Sequence, residues 1–548
     1  MSAPAPLQLK PRPRRLRTAA VGLAVAVLGA GALVGATAGA DGPQVTVTVP
    51  LGGGPASAPG DAIVPGGGRL ATTVSVTASV QSRASVLSAL RAAGRDGARV
   101  DVGAPSAAPP VAPGFVGLSI EYQSMYRYAR AGRLFDQLVQ NLAPGQRPYL
   151  RVGGDSTDHT YWPVAGIASP GLRYELTPQW IDTVSGGTRA LDPRMTFGLN
   201  MEANRPALAT AEASALAAGF GPRLSAFELG NEPNLYEAFA WYAADGQKVK
   251  GRPPGWSVGR YLGEVGAFAR ALRGYPLWGP SIGNPPWMAA LPQFTPYFST
   301  ITYHAYPTSC YAPAGSPQAP TVANLLAPTA SSGLAAEIEP WVRYSAEHGR
   351  GMRIDEINTT ACGGQIGTPN IVAALWALEA GFSFAEAGLR GVNVHTFGSA
   401  RYRLFSLAGT GSHASASVLP EYYGWMMFAR AAPPGSRVLQ LTLSGNPHIK
   451  AYATRLGNVT HVVLINDAHH RVGTVALGVP GADQATVERL LAPGLLAKRG
   501  ISFAGMSVPA HTRTGLLSGT PQVGALRGAG RFAVSMPAAS AALLTLTP

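Results

Sequence analysis

Cysteine is nearly missing from this chain. Only Cys310 and Cys362 occur in 548 residues, and no Cys-x-x-Cys pair or zinc-type Cys/His spacing exists. A structural zinc site is therefore not expected. The metal-binding His-x-His and HExxH pairs are absent too. Charge is sparse, at 13% of residues, against 46% hydrophobic. That balance excludes wholesale disorder and supplies a large buried core. Gly (67) and Pro (47) are abundant but follow no Gly-X-Y period, which excludes collagen.

Acidic residues are also few: 29 Asp+Glu stand against 43 Lys+Arg, a net charge of +14. Lys10, Arg12, Arg14, Arg15 and Arg17 supply five of those positives before residue 41, with no acid among them. No dense basic run follows residue 17, so no nucleic-acid partner is expected. The basic stretch 10–17 precedes an uncharged run over 18–40, which ends in Ala36-Thr37-Ala38 and Ala38-Gly39-Ala40. This is the pattern of a secretory signal peptide; an uncleaved membrane anchor is the alternative. Either way the body is expected outside the cytoplasm, secreted or held at the membrane by residues 1–40.

Residues 41–113 read as a low-complexity spacer, with LGGGPASAPG, VPGGGRL and APSAAPPVAPG. Two β-prone islands (46–50 and 72–80) and a short helix (85–94) are expected within it. From residue 114 to 432 the texture is different. Eight apolar strand candidates begin near residues 115, 149, 195, 224, 276, 298, 352 and 391, and helix-period segments separate them. That alternation predicts an α/β fold, a (β/α)8 TIM barrel. A doubly wound sheet is disfavoured, because no Gly-rich dinucleotide turn follows the first strand. Residues 433–548 hold short strands spaced by Gly, Pro and Asn, and predict a C-terminal all-β sandwich.

In a barrel of this kind the chemistry gathers at the C-terminal strand ends. The polar residues there are Glu121, Asp155, Asn200, Glu202, Asn231, Glu232, His304, Tyr306, Glu356, Asn358 and His395, with Tyr402 just beyond. Glu232 ends the fourth strand and Glu356 the seventh, so the two face each other across the mouth. Two carboxyl groups about 5–5.5 Å apart are what a retaining glycosidase requires. One protonates the leaving oxygen and then activates water; the other attacks the anomeric carbon.

The words around these residues carry a resemblance. Asn231-Glu232-Pro233 resembles the motif of clan A glycoside hydrolases. FVGLSIEY (115–122), YLRVGGDSTD (149–158), FELGNEPNLY (227–236), ITYHAYPTSC (301–310), EINTTACGG (356–364) and GVNVHT (391–396) together resemble glycoside hydrolase family 79, the β-glucuronidase and heparanase family. YATRLGNVTHVVLIND (452–467) resembles that family's C-terminal β domain. The resemblance implies Glu232 as acid/base, Glu356 as nucleophile and Asn231 as a partner of the sugar 2-hydroxyl. It implies substrate contacts from Glu121, Asp155, His304 and Tyr306. FGSARYRLF (397–405) resembles the loop that receives the uronate carboxylate, with Tyr402 as the hydroxyl donor and the backbone at Ala400 as the N–H donor.

The implied substrate is a glucuronide or a glucuronic-acid-containing glycan, cleaved without cofactor or metal and with no obligate protein partner. A clan A exo-glycosidase for a neutral sugar and a non-catalytic surface glycan-binding protein are the alternative readings. Cys310 and Cys362 fall in loops after adjacent strands, where either a disulfide or two separate thiols would fit.

Overall fold

The computed structural model describes residues 94–548 without a break. Before them it describes the strands Leu33–Gly39, Gly42–Pro50 and Ala71–Val80 and four isolated positions, Ala84, Ser88, Ala89 and Arg91. The basic stretch 10–17, the apolar run as far as residue 32 and most of the helix expected over 85–94 lie outside the described residues. Within the expected export segment, Leu33–Gly39 pairs antiparallel with Gly42–Pro50 as the outermost strand of its sheet.

All eight expected barrel strands are present: Val116–Ile120, Tyr149–Val152, Arg194–Leu199, Leu224–Leu229, Leu277–Ile282, Thr300–Ala305, Gly351–Ile357 and Val392–His395. Each pairs in parallel with its neighbours, and the eighth closes on the first. The doubly wound alternative is thereby excluded. Helices return the chain between strands, and local sequence sets their starts. Thr177 accepts the Trp180 N–H and Pro178 follows it; Asn370 accepts the Val372 N–H. Such caps satisfy N–H groups that the first helical turn leaves open. Helix Ile371–Glu386 is apolar almost all round and buried from Ile371 to Ala385. It has no solvent face because it packs on helix Pro420–Ala431 and lies under the β domain.

The β domain alternates its side chains with period two. Val462 and Leu464 enter the core between its two sheets, while Val463 and Ile465 join the barrel core. One sheet thus has both faces buried. Strand Arg437–Gly445 joins the two layers: Val438 pairs with Thr454 in one, and Leu441–Gly445 pair with Val102–Ala98 in the other. A register shift between Leu439 and Leu441 makes the change of layer.

Strand Gly97–Pro105 corrects the reading of 41–113 as a spacer. It lies between Arg437–Gly445 and Gly473–Gly478, with Val100 at the centre of the sandwich core. Strands Gly42–Pro50 and Ala71–Val80 extend the other sheet beside Gln522–Arg527. The β domain is therefore built from both sides of the barrel in sequence. Linker-like composition hid this, because the pairing partners lie more than 300 residues away. Among the described residues no helix is long and apolar enough to cross a membrane.

Candidate active site

The barrel floor is organised by Arg151, on the second strand, which has no solvent exposure. Its Nε donates to Glu228 Oε2 at 2.6 Å. One terminal nitrogen donates to Glu356 Oε2 at 2.6 Å and Ser119 Oγ at 2.9 Å. The other donates to Asn231 Oδ1 at 3.0 Å and Ser281 Oγ at 3.2 Å. One guanidinium thus ties the first, second, fourth, fifth and seventh strands. A buried arginine needs this saturation, since an unpaired buried charge is costly.

Glu356 is the best-anchored carboxylate. Besides Arg151 it accepts the Tyr306 hydroxyl at 2.7 Å, and His395 Nδ1 stands 3.6 Å away. Burial alone would raise its carboxyl. The charges of His395, His304 and Arg151, with the Tyr306 hydroxyl, outweigh burial and lower it to about 2. Glu232 is held differently. Its side chain meets His304 Nδ1 at 3.0 Å, and a quarter of it faces solvent. Its backbone is left-handed, with φ 45°, and its N–H bonds to Ser281 O at 2.9 Å. A non-glycine residue in that region stores strain, which surrounding structure must hold in place.

His304 lies between two acids. Burial would lower its imidazole, but Asp355 and Glu356 raise it well above its ordinary value, so it is a cation facing Glu232. Burial is offset at Asp355 too, where His304 and Arg151 hold the carboxyl far down. Glu228 shows the opposite outcome. Burial pushes it up to about 8 despite Arg151, and the nearby charge of Asp355 adds to that rise.

Asn231 accepts from Arg151, which has only donors. Its amide oxygen therefore faces the guanidinium, which leaves the NH2 for a different partner. Its backbone N–H goes to Asp158 Oδ2 at 2.9 Å; the same carboxylate takes the Met201 N–H and the Tyr236 hydroxyl. Glu121 accepts both the N–H and the hydroxyl of Ser156, and His395 Nε2 lies 3.5 Å from it. Gly154 permits this: a Cβ there would stand 2.5 Å from Glu121 Oε1. Asp155 opens to the cleft. Loss of hydration, then the charges of Glu121, Glu356 and Glu232, push its carboxyl up to about 7.

Seven of the predicted residues thus meet at one mouth: Glu121, Asp155, Asn231, Glu232, His304, Tyr306 and Glu356. Arg151, Glu228, Asp355, Ser281 and Asp158 were not foreseen. For all but Asp158, which lies in the turn Thr157–His159, the signal was a charge or hydroxyl inside a buried strand, as in YLRV and MRIDEI. Ser281 also has the Gly279-Pro280-Ser281-Ile282-Gly283 spacing of a serine nucleophile. Its hydroxyl is fully buried and donates to Asp355 at 2.7 Å, so no substrate reaches it.

Residues 451–543 match the glycosyl hydrolase family 79 C-terminal beta domain. A β-glucuronidase of Neurospora crassa is 26% identical over 67% of this chain and 74% of its own length. The fold is similar to a 4-O-α-L-rhamnosyl-β-D-glucuronidase of Fusarium oxysporum 12S (TM-score 0.64, 20% identity, 82% of this chain and all of that one). It is also similar to an α-L-arabinofuranosidase of Thermotoga maritima (TM-score 0.55, 13% identity, 82% of this chain and all of that one). The matched segment is thus a family 79 C-terminal β domain, and the chain as a whole is similar to β-glucuronidases. It is an enzyme that hydrolyses O-glycosyl bonds.

In this hydrolase, Tyr402 is almost fully buried beside the mouth. Its ring stands 6.3 Å from Tyr306 and 6.1 Å from His395, and its hydroxyl interacts with Tyr306. Asn358 Nδ2 holds the Tyr402 carbonyl at 3.2 Å. Ala400 departs from expectation. Its N–H bonds to Phe397 O at 3.0 Å, and the Arg401 N–H bonds to Gly364 O at 2.7 Å. One closes the loop's own turn and the other ties it to the loop after the seventh strand, so neither is free for a substrate carboxylate. The alanine side chain at this position is fully buried and abuts Gly364, where a Cβ would meet the Ala400 Cα at 3.0 Å. Cys310 and Cys362 are joined as a disulfide, with Cα atoms 5.6 Å apart.

Proposed function

We propose that this hydrolase is an exported retaining β-glucuronidase that removes glucuronic acid from glycans or small glucuronides. The observation that carries the mechanism is the unequal surroundings of the two carboxylates. Glu356, held ionised by Arg151 and Tyr306, is the nucleophile. Glu232, partly open to solvent and on one histidine, is the acid/base.

In the first step Glu356 attacks the anomeric carbon while Glu232 gives its proton to the leaving oxygen. That leaves a glycosyl ester on Glu356. Glu232, now a carboxylate facing the His304 cation, takes a proton from water as the water oxygen attacks the anomeric carbon and the bond from that carbon to Glu356 breaks, which frees the Glu356 carboxylate. Two inversions give net retention. The Asn231 NH2 donates to the sugar 2-hydroxyl, a bond that strengthens as positive charge builds on the ring. Asp155 and Glu121 accept hydroxyls on the far side of the ring.

The glucuronide assignment is supported by the matches to glucuronidases and by Tyr402 beside the site. Export is supported by the sequence of residues 1–40. Cleavage after Ala40 would take away only the outermost strand, Leu33–Gly39, and leave the rest of its sheet paired.

Side-by-side hydrolysis of nitrophenyl β-glucuronide, β-glucoside and β-galactoside tests the sugar. Preference for the glucuronide is expected. Preference for a neutral sugar would replace the assignment, and inactivity on all three would favour the glycan-binding alternative.

A further inference from the structure

Eight large hydrophobic side chains are strongly exposed among the described residues. Five lie in the β domain. The three in the barrel, Phe239, Tyr311 and Ile366, all stand on loops at its mouth, after the fourth, sixth and seventh strands. The barrel's flanks and floor carry none.

Phe239 and Tyr311 touch each other. Their ring centroids are 6.1 Å apart and their planes meet at 53°, yet they remain 51% and 69% exposed. They form an open corner rather than a packed pair. The contact spans from the loop that carries Glu232 to the loop that follows His304 and Tyr306, on the Glu232 side of the mouth.

Both rings sit on fixed backbone. The Phe239 N–H bonds to Leu235 O at 3.1 Å. Thr308–Ser309 pairs with Thr360–Ala361, the Cys310 N–H bonds to Ala361 O at 3.2 Å, and the disulfide to Cys362 completes the clamp beside Tyr311. Rigid, solvent-facing aromatic rings at the entrance of a cleft keep their exposure for a ligand.

We infer that Phe239 and Tyr311 form a stacking platform for the sugar ring of the leaving group. This rests on the reading of Glu232 as the acid/base. The leaving oxygen must face Glu232, so the group attached to it emerges on that side, toward the two rings. A pyranose presents an apolar C–H face over a polar edge. An open aromatic corner suits that face while leaving its hydroxyls in water.

The test uses β-glycosides of whichever sugar the wild-type enzyme accepts, with methyl, nitrophenyl or pyranosyl leaving groups. Failure of the platform is thereby separated from failure of the glucuronide assignment. Phe239→Ala and Tyr311→Ala are expected to raise KM for the pyranosyl substrate roughly three- to tenfold with little change in kcat. The methyl glycoside, which has no ring to stack, should keep its KM. Phe239→Tyr and Tyr311→Phe should retain the wild-type KM on the pyranosyl substrate. Equal effects on methyl and pyranosyl substrates, no effect on either, or an effect confined to the nitrophenyl glycoside would overturn the proposal.

Discussion

Glu356 is ionised because its neighbours overcome its burial, and each neighbour can be removed alone. Tyr306→Phe takes away the 2.7 Å hydroxyl and leaves Arg151 in place. A hydrogen bond to a charged group is worth about 1.5–3 kcal/mol. The expected result is a fall in kcat/KM of roughly 10–150-fold with an intact fold, read by steady-state kinetics and melting. Asp155 makes a second prediction. Its carboxyl, raised to about 7, is neutral below that pH and charged above it. Ionisation adds a negative charge beside Glu356 and Glu121 and repels an anionic substrate. KM for glucuronides should therefore rise as pH passes through about 7, and Asp155→Asn should flatten that rise. An unchanged KM profile in the variant would remove Asp155 from substrate binding. At this scale the proposed catalytic pair was legible in the sequence, because strand-end position and the Asn-Glu-Pro motif both mark it. Arg151 and Asp355 were not legible, since nothing local shows that residues 151, 228, 281 and 355 converge. The Ala400 role failed for a backbone reason: the turn from Phe397 consumes its N–H.

Elements were legible where their pattern is local. The eight barrel strands stand where short apolar runs predicted them, and helix Ile371–Glu386 follows from its apolar length. Strand Gly97–Pro105 was missed because its stability comes from partners after residue 436. Helix Pro420–Ala431 carries a testable cost. Glu421 in its first turn is buried, and it accepts the Trp425 Nε1–H at 2.9 Å. Burial pushes its carboxyl up to about 8, and the Trp425 N–H only partly offsets this. The folded state therefore binds this proton more tightly than the unfolded chain. Its contribution to stability is full at low pH, declines as pH rises from about 4.5 to about 8, and stays lost above that. Glu421→Gln keeps the shape and the acceptor for Trp425 without the charge. It should leave the free energy of unfolding unchanged near pH 4.5 and raise it increasingly up to pH 8, by on the order of a few kcal/mol, read by denaturant melts across that range. A pH-independent difference would show that Glu421 does not titrate as its burial dictates.

At the scale of the whole molecule, the β domain and the barrel share one buried sheet, and a charged cluster crosses their boundary. Lys450 Nζ donates to Glu379 of the barrel at 2.7 Å and to Leu326 O at 2.7 Å, with Asp467 at 3.1 Å. This ammonium between two acids is a direct ionic link from the β domain to the barrel. The disulfide adds a second constraint, closing a separation of 52 residues across the sixth and seventh loops. Loop-closure entropy for that length gives about 4 kcal/mol. Cys310→Ser with Cys362→Ser should lower stability by up to that amount, and the denatured, unreduced wild type should show no free thiols. Two thiols per chain would refute the bridge.

The central claim is that Glu356 forms a glycosyl ester with a glucuronyl group. It is tested most directly by incubating the protein with 2-deoxy-2-fluoro-β-glucuronyl fluoride and mapping the adduct by peptide mass spectrometry. The fluorine slows hydrolysis of the ester and allows it to accumulate. One fluoroglucuronyl group per chain, on the peptide containing Glu356, is the predicted result. An adduct on Glu232, or none while the matching fluoroglucoside labels the enzyme, would contradict it.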